Sequence, residues 1–193
     1  MNLIPAFEIG LWNAWIFMLL YFLITYVPGY IINREKVKRA FSYPPYNKKE
    51  KNIYFVLESI YFVSLIYTVF LPLKLGTTWF YTGLLIYLLG MVMNVLAVMS
   101  FATAPLDKPV TKGVYRISRN PFYFGYFLIC IGIGIVSASW VFLAYAIAYA
   151  TLQHILVIAE ERFCLEKYGD PYLNYMNRTP RYIGMPRGGK DEL

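Results

Sequence analysis

The chain has 193 residues, 59% hydrophobic, 19% aromatic and 15% charged, with a mean hydropathy of +0.48. Its apolar residues fall in long blocks, which excludes an ordinary soluble domain and predicts an all-α integral membrane protein. The net charge of +7 reads as topology plus attraction to anionic headgroups, and nucleic-acid binding is excluded because no soluble basic domain remains to carry it.

Five blocks are predicted to span. The first, residues 11–32, is followed by charge and not by a small-residue cleavage site, so it reads as an anchor. A basic linker, residues 34–51, has Tyr43-Pro44-Pro45-Tyr46 at its centre and is expected to lie on the headgroups. The second span, residues 53–73, carries Glu58, the only acid inside the first three spans, with Ser59, Tyr61 and Tyr67 as candidate partners and no role assigned. Gly76-Thr77-Thr78 predicts a tight outer turn into the third span, residues 79–101, so that spans two and three form an antiparallel hairpin.

The fourth span, residues 121–136, reaches about 24 Å against an apolar layer of about 30 Å. Ser137-Ala138-Ser139 turns it into the fifth, residues 140–158. Gly132 and Gly134 predict close helix approach and not a nucleotide loop, since no strand precedes them. Trp79, Trp140 and most tyrosines read as interfacial belts and packing, and Met91, Met93 and Met99 as span filling. The whole chain is then one membrane domain, with residues 1–101 forming a lipid-facing wall and residues 102–193 carrying the chemistry.

Lysine and arginine set the orientation. Residues 34–51 hold seven, 108–119 four and 162–190 six of the eighteen, and five spans put all three segments on one face, leaving only Lys74 opposite. The C-terminus is therefore expected in the cytoplasm. The terminal Lys190-Asp191-Glu192-Leu193 matches an ER-retrieval signal, but such signals are read in the lumen, so the match is taken as coincidence. Cys130 lies on a span and Cys164 in the tail, and both are expected to be reduced.

Polar groups concentrate at the basic end of the last hairpin. Asn120-Pro121 predicts a helix start, with the asparagine side chain capping and the proline at the first helical position. Its positive end favours anions, and Arg116 and Arg119 lie just before it. On span five, Gln153 and Glu160 share one helical face and His154 and Glu161 another, each pair seven residues apart. One histidine and two distant cysteines cannot supply a metal site, and no Walker loop or strand-borne dinucleotide fingerprint is present.

The matching residues Val110-Thr111-Lys112-Gly113-Val114-Tyr115, Arg119-Asn120-Pro121-Phe122-Tyr123-Phe124-Gly125, Glu160-Glu161, Leu165, Tyr168-Gly169, Tyr172, Tyr175 and Arg178-Thr179-Pro180 resemble the isoprenylcysteine carboxyl methyltransferase family. That family shares its signature with membrane phospholipid N-methyltransferases. The resemblance covers about residues 107–184 and implies a cytoplasmic site for S-adenosylmethionine, with S-adenosylhomocysteine as product. It implies cofactor contacts at Lys108, Pro109, Val110, Tyr115, Asn120, Pro121, Phe122, Tyr123, Glu160 and Glu161, and a substrate-orienting role for His154. The family's usual triplet is Arg-His-Pro; Asn120 replaces a group that titrates near neutrality, so acid/base work is not expected there.

The expected reaction is methyl transfer to the carboxylate of a prenylated cysteine or another lipid-tailed acceptor. A carboxylate is ionised at neutral pH and needs no general base, only placement and loss of water. The alternatives are N-methylation of an aminophospholipid, which needs a neutral amine, and a non-catalytic lipid-binding protein without cofactor affinity. The length resembles prokaryotic members of the family, which implies a cell membrane in preference to the ER.

Overall fold

The computed structural model describes residues 8–40, 44–105 and 107–184, the side chains of 37–40 excepted. Tyr43 and the terminal Lys-Asp-Glu-Leu lie outside the described residues. Among the described residues six α-helices follow one another: α1 (Trp15–Ala40), α2 (Lys48–Thr68), α3 (Thr78–Thr103), α4 (Pro121–Val136), α5 (Trp140–Tyr168) and α6 (Asp170–Arg178), with one 3-10 turn at Gly113–Arg116.

Local chemistry explains most boundaries. In α2, Asn47 accepts from the Glu50 N–H (3.0 Å) while Glu50 accepts from the Asn47 N–H (2.8 Å), a reciprocal cap. Thr77 and Ser139 cap α3 and α5 through their hydroxyls. α1 breaks at Asn33, where the backbone is extended (φ −159°, ψ 94°) and the side chain accepts from the Lys36 N–H, capping a short second segment. Gly169 ends α5 at φ +58°, a conformation that glycine adopts without strain, and Pro171 sits in the first turn of α6.

Three helices among the described residues are long and apolar enough to cross a membrane: Trp15–Lys36, Thr78–Thr103 and Trp140–Tyr168. α4 is a shorter apolar helix, and α5 runs ten residues beyond the predicted end of span five. α2 begins Lys48-Lys49-Glu50-Lys51 and contains Glu58, and it is not among the three. The large apolar side chains Phe62, Leu85, Leu89 and Ile147 point outward and are exposed, an arrangement suited to lipid and hazardous in water.

The second span ends early. It was expected to run to residue 73, but Pro72 has no N–H to donate and restricts Leu71, so the helix stops at Thr68. The following stretch is extended and tied down by Ala14 N–H to Leu71 C=O (2.8 Å), Leu73 N–H to Trp12 C=O (3.0 Å) and Lys74 N–H to Val136 C=O (2.8 Å). It carries the chain across the residues just before α1 and the last residue of α4. Spans two and three consequently do not form the expected hairpin: α3 packs between α1 and α4, while α2 packs on α5.

The α3–α4 contact is the closest in the bundle because glycines face glycines. A Cβ on Gly83 would lie 2.7 Å from the Gly132 carbonyl oxygen, and one on Gly90 would lie 2.6 Å from that of Gly125. Each pair is seven residues apart on its own helix, so the two antiparallel backbones touch at two levels. Beside them Asn94 is fully buried, its amide donating to the Phe122 carbonyl (2.7 Å) and accepting from the Tyr126 N–H (3.2 Å). Phe17, Tyr87, Ile129, Ile133 and Phe142 complete the core, and the Tyr87 hydroxyl donates to the Phe17 carbonyl at 2.6 Å.

Candidate functional site

α5 carries two adjacent carboxylates to opposite surroundings. The seven-residue spacing puts Glu161 and His154 on one face and Glu160 and Gln153 on the next. Glu161 is 3% exposed. It accepts from Arg119 (3.0 and 3.2 Å), Arg181 (3.0 and 2.9 Å) and the Asn120 amide (2.9 Å). Arg119 also donates to the Met176 and Thr179 carbonyls, at 2.7 and 2.9 Å. The start of α4, the end of α5 and the segment after α6 are thereby drawn onto one anion. Hydrogen bonding to Glu161 raises Arg181 further above its usual range, so the guanidinium keeps its charge.

Two expectations change here. Asn120 stands at the N-cap position, but its side chain makes no cap; it donates to Glu161 and to the Arg181 carbonyl (3.2 Å) instead. A charged acceptor outcompetes a neighbouring backbone group. Arg119 likewise is not held for an incoming anion at the helix start, because its guanidinium is bonded to Glu161 and to two carbonyls. Arg116 is exposed.

The same face holds His154, whose Nδ1 is 2.9 Å from the Tyr182 hydroxyl. The histidine does not line the cavity described next. The structure thus places it against the C-terminal segment.

Glu160 faces a cavity of about 520 Å³, within the range of small-molecule sites. Its carboxylate accepts from the Tyr123 hydroxyl at 2.7 and 2.8 Å and from the Tyr46 hydroxyl at 3.3 Å. No cation pairs with it among the described residues. Nine of the ten residues that the resemblance assigns to the cofactor line this cavity; Pro121 does not. Tyr175 of α6 positions Tyr115 by donating to its carbonyl at 2.6 Å, and burial pushes the Tyr115 phenol well above its usual range, keeping it a neutral donor. Lys108 and Lys167 also line the cavity.

The cavity continues inward, past Gln153, to a wall of rings. Tyr126 packs against Tyr149 (5.1 Å between ring centroids), Tyr21 (5.5 Å) and Tyr61 (6.1 Å), and Tyr149 against Tyr145 (5.7 Å). These tyrosines form an interior cluster, the packing part of what the sequence led one to expect of them, and not an interfacial belt. Glu58 of α2 lines the same recess. Sequence reading also missed Tyr46 and Arg181. Tyr46 lay in a turn-rich linker, and Arg181 followed the matched motif without a spacing rule to single it out.

Arg162 links the two halves from outside, bonding Glu50 at 3.0 and 3.1 Å. The Asn47 N–H and this guanidinium hold the Glu50 carboxyl below its usual range, against a partial desolvation penalty.

No curated protein matches the chain. A family model described as phospholipid methyltransferase matches residues 75–171, which runs from the turn before α3 through α4 and α5 to the start of α6 and so contains both carboxylates and most of the cavity wall. The chain belongs to the phospholipid methyltransferase family, and with its three long apolar helices it is a membrane methyltransferase.

Proposed function

We propose that this protein transfers a methyl group from S-adenosylmethionine to the polar head of a lipid-tailed acceptor, at the cytoplasmic end of a five-span bundle in a cell membrane. The observation that carries the reading is Glu160: a carboxylate facing a cavity, hydrogen-bonded by tyrosine hydroxyls and unmatched by any cation among the described residues. Such an anion is costly unless a positive ligand meets it. The cofactor brings an ammonium and a sulfonium, together with a carboxylate for which Lys108 and Lys167 are available and an adenine that suits the aromatic walls at Tyr115 and Tyr172.

When bound, the cofactor supplies an electrophilic methyl: an acceptor lone pair forms the new bond to carbon, the carbon–sulfur pair goes to sulfur, and a neutral thioether leaves. What the chain contributes is position. Tyr123 and Tyr46 hold Glu160 in one orientation, the Glu161 clamp fixes the start of α4 beside it, and the aromatic recess keeps water from the acceptor. Lipid access is supported by α1 and α2, which both line the cavity and touch each other only sparsely. Each CH₂ buried from a lipid tail contributes about 0.8 kcal/mol to binding.

Two acceptors fit this frame. The motif resemblance favours the carboxylate of a prenylated cysteine, and the matched family favours the amine of an aminophospholipid. Calorimetry with S-adenosylhomocysteine on the full chain in detergent tests the cofactor site: wild type is expected to bind and Glu160→Gln to bind at least about tenfold more weakly, roughly 1.4 kcal/mol. Absence of binding by wild type would remove the methyltransferase mechanism from this cavity. Radiolabelled methyl transfer to N-acetyl-S-farnesylcysteine and to phosphatidylethanolamine separates the two acceptors.

A further inference from the structure

The cavity face of α5 carries Tyr149, Gln153, Leu156 and Glu160 at successive turns. Gln153 stands about 10.5 Å along the axis from Glu160, inward of the basic end, and one turn from Tyr149 and the ring wall. It is 7% exposed, and among the described residues no hydrogen bond reaches its amide. Its polar neighbours on the wall are committed within the protein: Tyr123 and Tyr46 to Glu160, Asn120 to Glu161, Tyr126 to Tyr145 and Tyr21 to Tyr26. The next residue, His154, is rotated about 100° around the helix and meets Tyr182, and neither lines the cavity.

A buried amide without partners is costly, and a hydrocarbon side chain of the same length would line an apolar recess without that cost. The amide is therefore a group held for a ligand. It offers two N–H donors and one carbonyl acceptor. Acceptors are already at hand. Glu160 lies toward the basic end, and Glu58 lines the cavity from α2. The Glu50–Arg162 pair sets the register of α2 on α5; from it Glu58 is about 12 Å inward on one helix and Gln153 about 13.5 Å inward on the other, so the two lie at similar depth. What Gln153 adds to this stretch is a pair of donors, and a neutral donor bonds an incoming oxygen without neutralising either acid.

We propose that Gln153 positions the methyl acceptor: its amide N–H donates to an oxygen of the lipid's polar head and fixes that head between Glu160 and the tyrosine wall. A carboxylate oxygen and a phosphodiester oxygen share this chemistry. The assignment deepens the methyltransferase reading above and rests on it for catalysis, while the binding of the head does not depend on the cofactor.

The test is direct binding to the full chain in maltoside detergent. N-acetyl-S-farnesylcysteine presents a carboxylate and dihexanoyl phosphatidylethanolamine a phosphodiester; farnesyl methyl sulfide and dihexanoylglycerol are the matching probes without those groups. Wild type is expected to bind at least one headed probe at least about tenfold more tightly than its match. Gln153→Met, which keeps the length of the side chain and removes its donors, should lose about tenfold or more on that probe, with S-adenosylhomocysteine affinity within about twofold and no fall in the thermal midpoint. His154→Ala should hold the same probe within about twofold. The probe that responds identifies the oxygen as carboxylate or phosphodiester. The proposal is overturned by a wild type that does not prefer the headed probes, whether or not the variant folds, and by a Gln153→Met that binds them as wild type does. It is overturned too if the thermal midpoint and S-adenosylhomocysteine affinity fall together with probe binding, the mark of a packing role. If a headed probe binds through Gln153 while wild type does not bind S-adenosylhomocysteine, the acceptor subsite stands and the cofactor assignment falls.

Discussion

On one side of α5, Glu161 takes five hydrogen bonds from Arg119, Arg181 and Asn120; on the other, Glu160, its immediate neighbour, takes only tyrosine hydroxyls among the described residues and faces the cavity. A carboxylate whose lone pairs are filled by two guanidiniums and an amide ties three segments of the fold together. One whose charge is solvated by neutral donors is structurally lightly used and electrostatically hungry. Adjacent, identical residues thus divide into a clamp and the proposed binding group, and the division comes from a rotation of about 100° between successive helical positions.

The sharpest way to break the comparison is Glu161→Ala. It leaves the Arg119 side chain, 9% exposed, buried without its counter-charge, and a loss of about 3–5 kcal/mol is expected. Thermal unfolding in detergent measures it, and an unchanged midpoint would deny the clamp its structural role. Glu160→Gln should do the reverse: stability within about 1 kcal/mol of wild type, with S-adenosylhomocysteine binding at least about tenfold weaker. Equal thermal losses in the two variants would erase the distinction.

Tyr123→Phe sharpens the Glu160 side. It removes a hydrogen bond of about 1 kcal/mol, so cofactor affinity should fall roughly fivefold with little thermal change. His154→Ala probes the clamp side, releasing Tyr182 at a cost of about 0.5–1.5 kcal/mol without raising the acceptor KM. A raised KM would return the histidine to the acceptor and restore the role that the resemblance implies.

The smallest effect is the outer tie between Glu50 and Arg162. Because the folded-state pKa of Glu50 is depressed, its contribution is present above the unfolded value, near 4, and is lost as pH falls through the folded one. Wild type should therefore lose a small component of stability below about pH 4 that Glu50→Gln lacks throughout, read as the difference between their melting curves against pH.

Much of this was legible in the residues. The apolar blocks marked the helices, Ser137-Ala138-Ser139 marked the turn between α4 and α5, the residue pair Asn120-Pro121 marked a helix start, and Gly132 marked a close approach that the structure pairs with Gly83. The seven-residue spacings on α5 also sorted Gln153 with Glu160 and His154 with Glu161 before any contact was known. Other features were misread for definite reasons. Pro72 was carried inside a span because hydropathy has no term for a missing N–H. Asn120 was taken for a cap because the stronger acceptor, Glu161, lies 41 residues away.

Periodicity, capping and charge bias act over a few neighbouring residues, and those the sequence determined by itself: helices, their faces, and the concentration of basic residues at one end. What only the tertiary structure decided were the partners across long separations. It chose which carboxylate would be saturated, sent α2 to α5 and not to α3, and gathered Tyr21, Tyr61, Tyr126 and Tyr149 from four helices into one recess. A tyrosine reads the same in a membrane belt and in an interior wall, because its ring and its hydroxyl suit both. Only the packing of the helices that carry it tells the two apart.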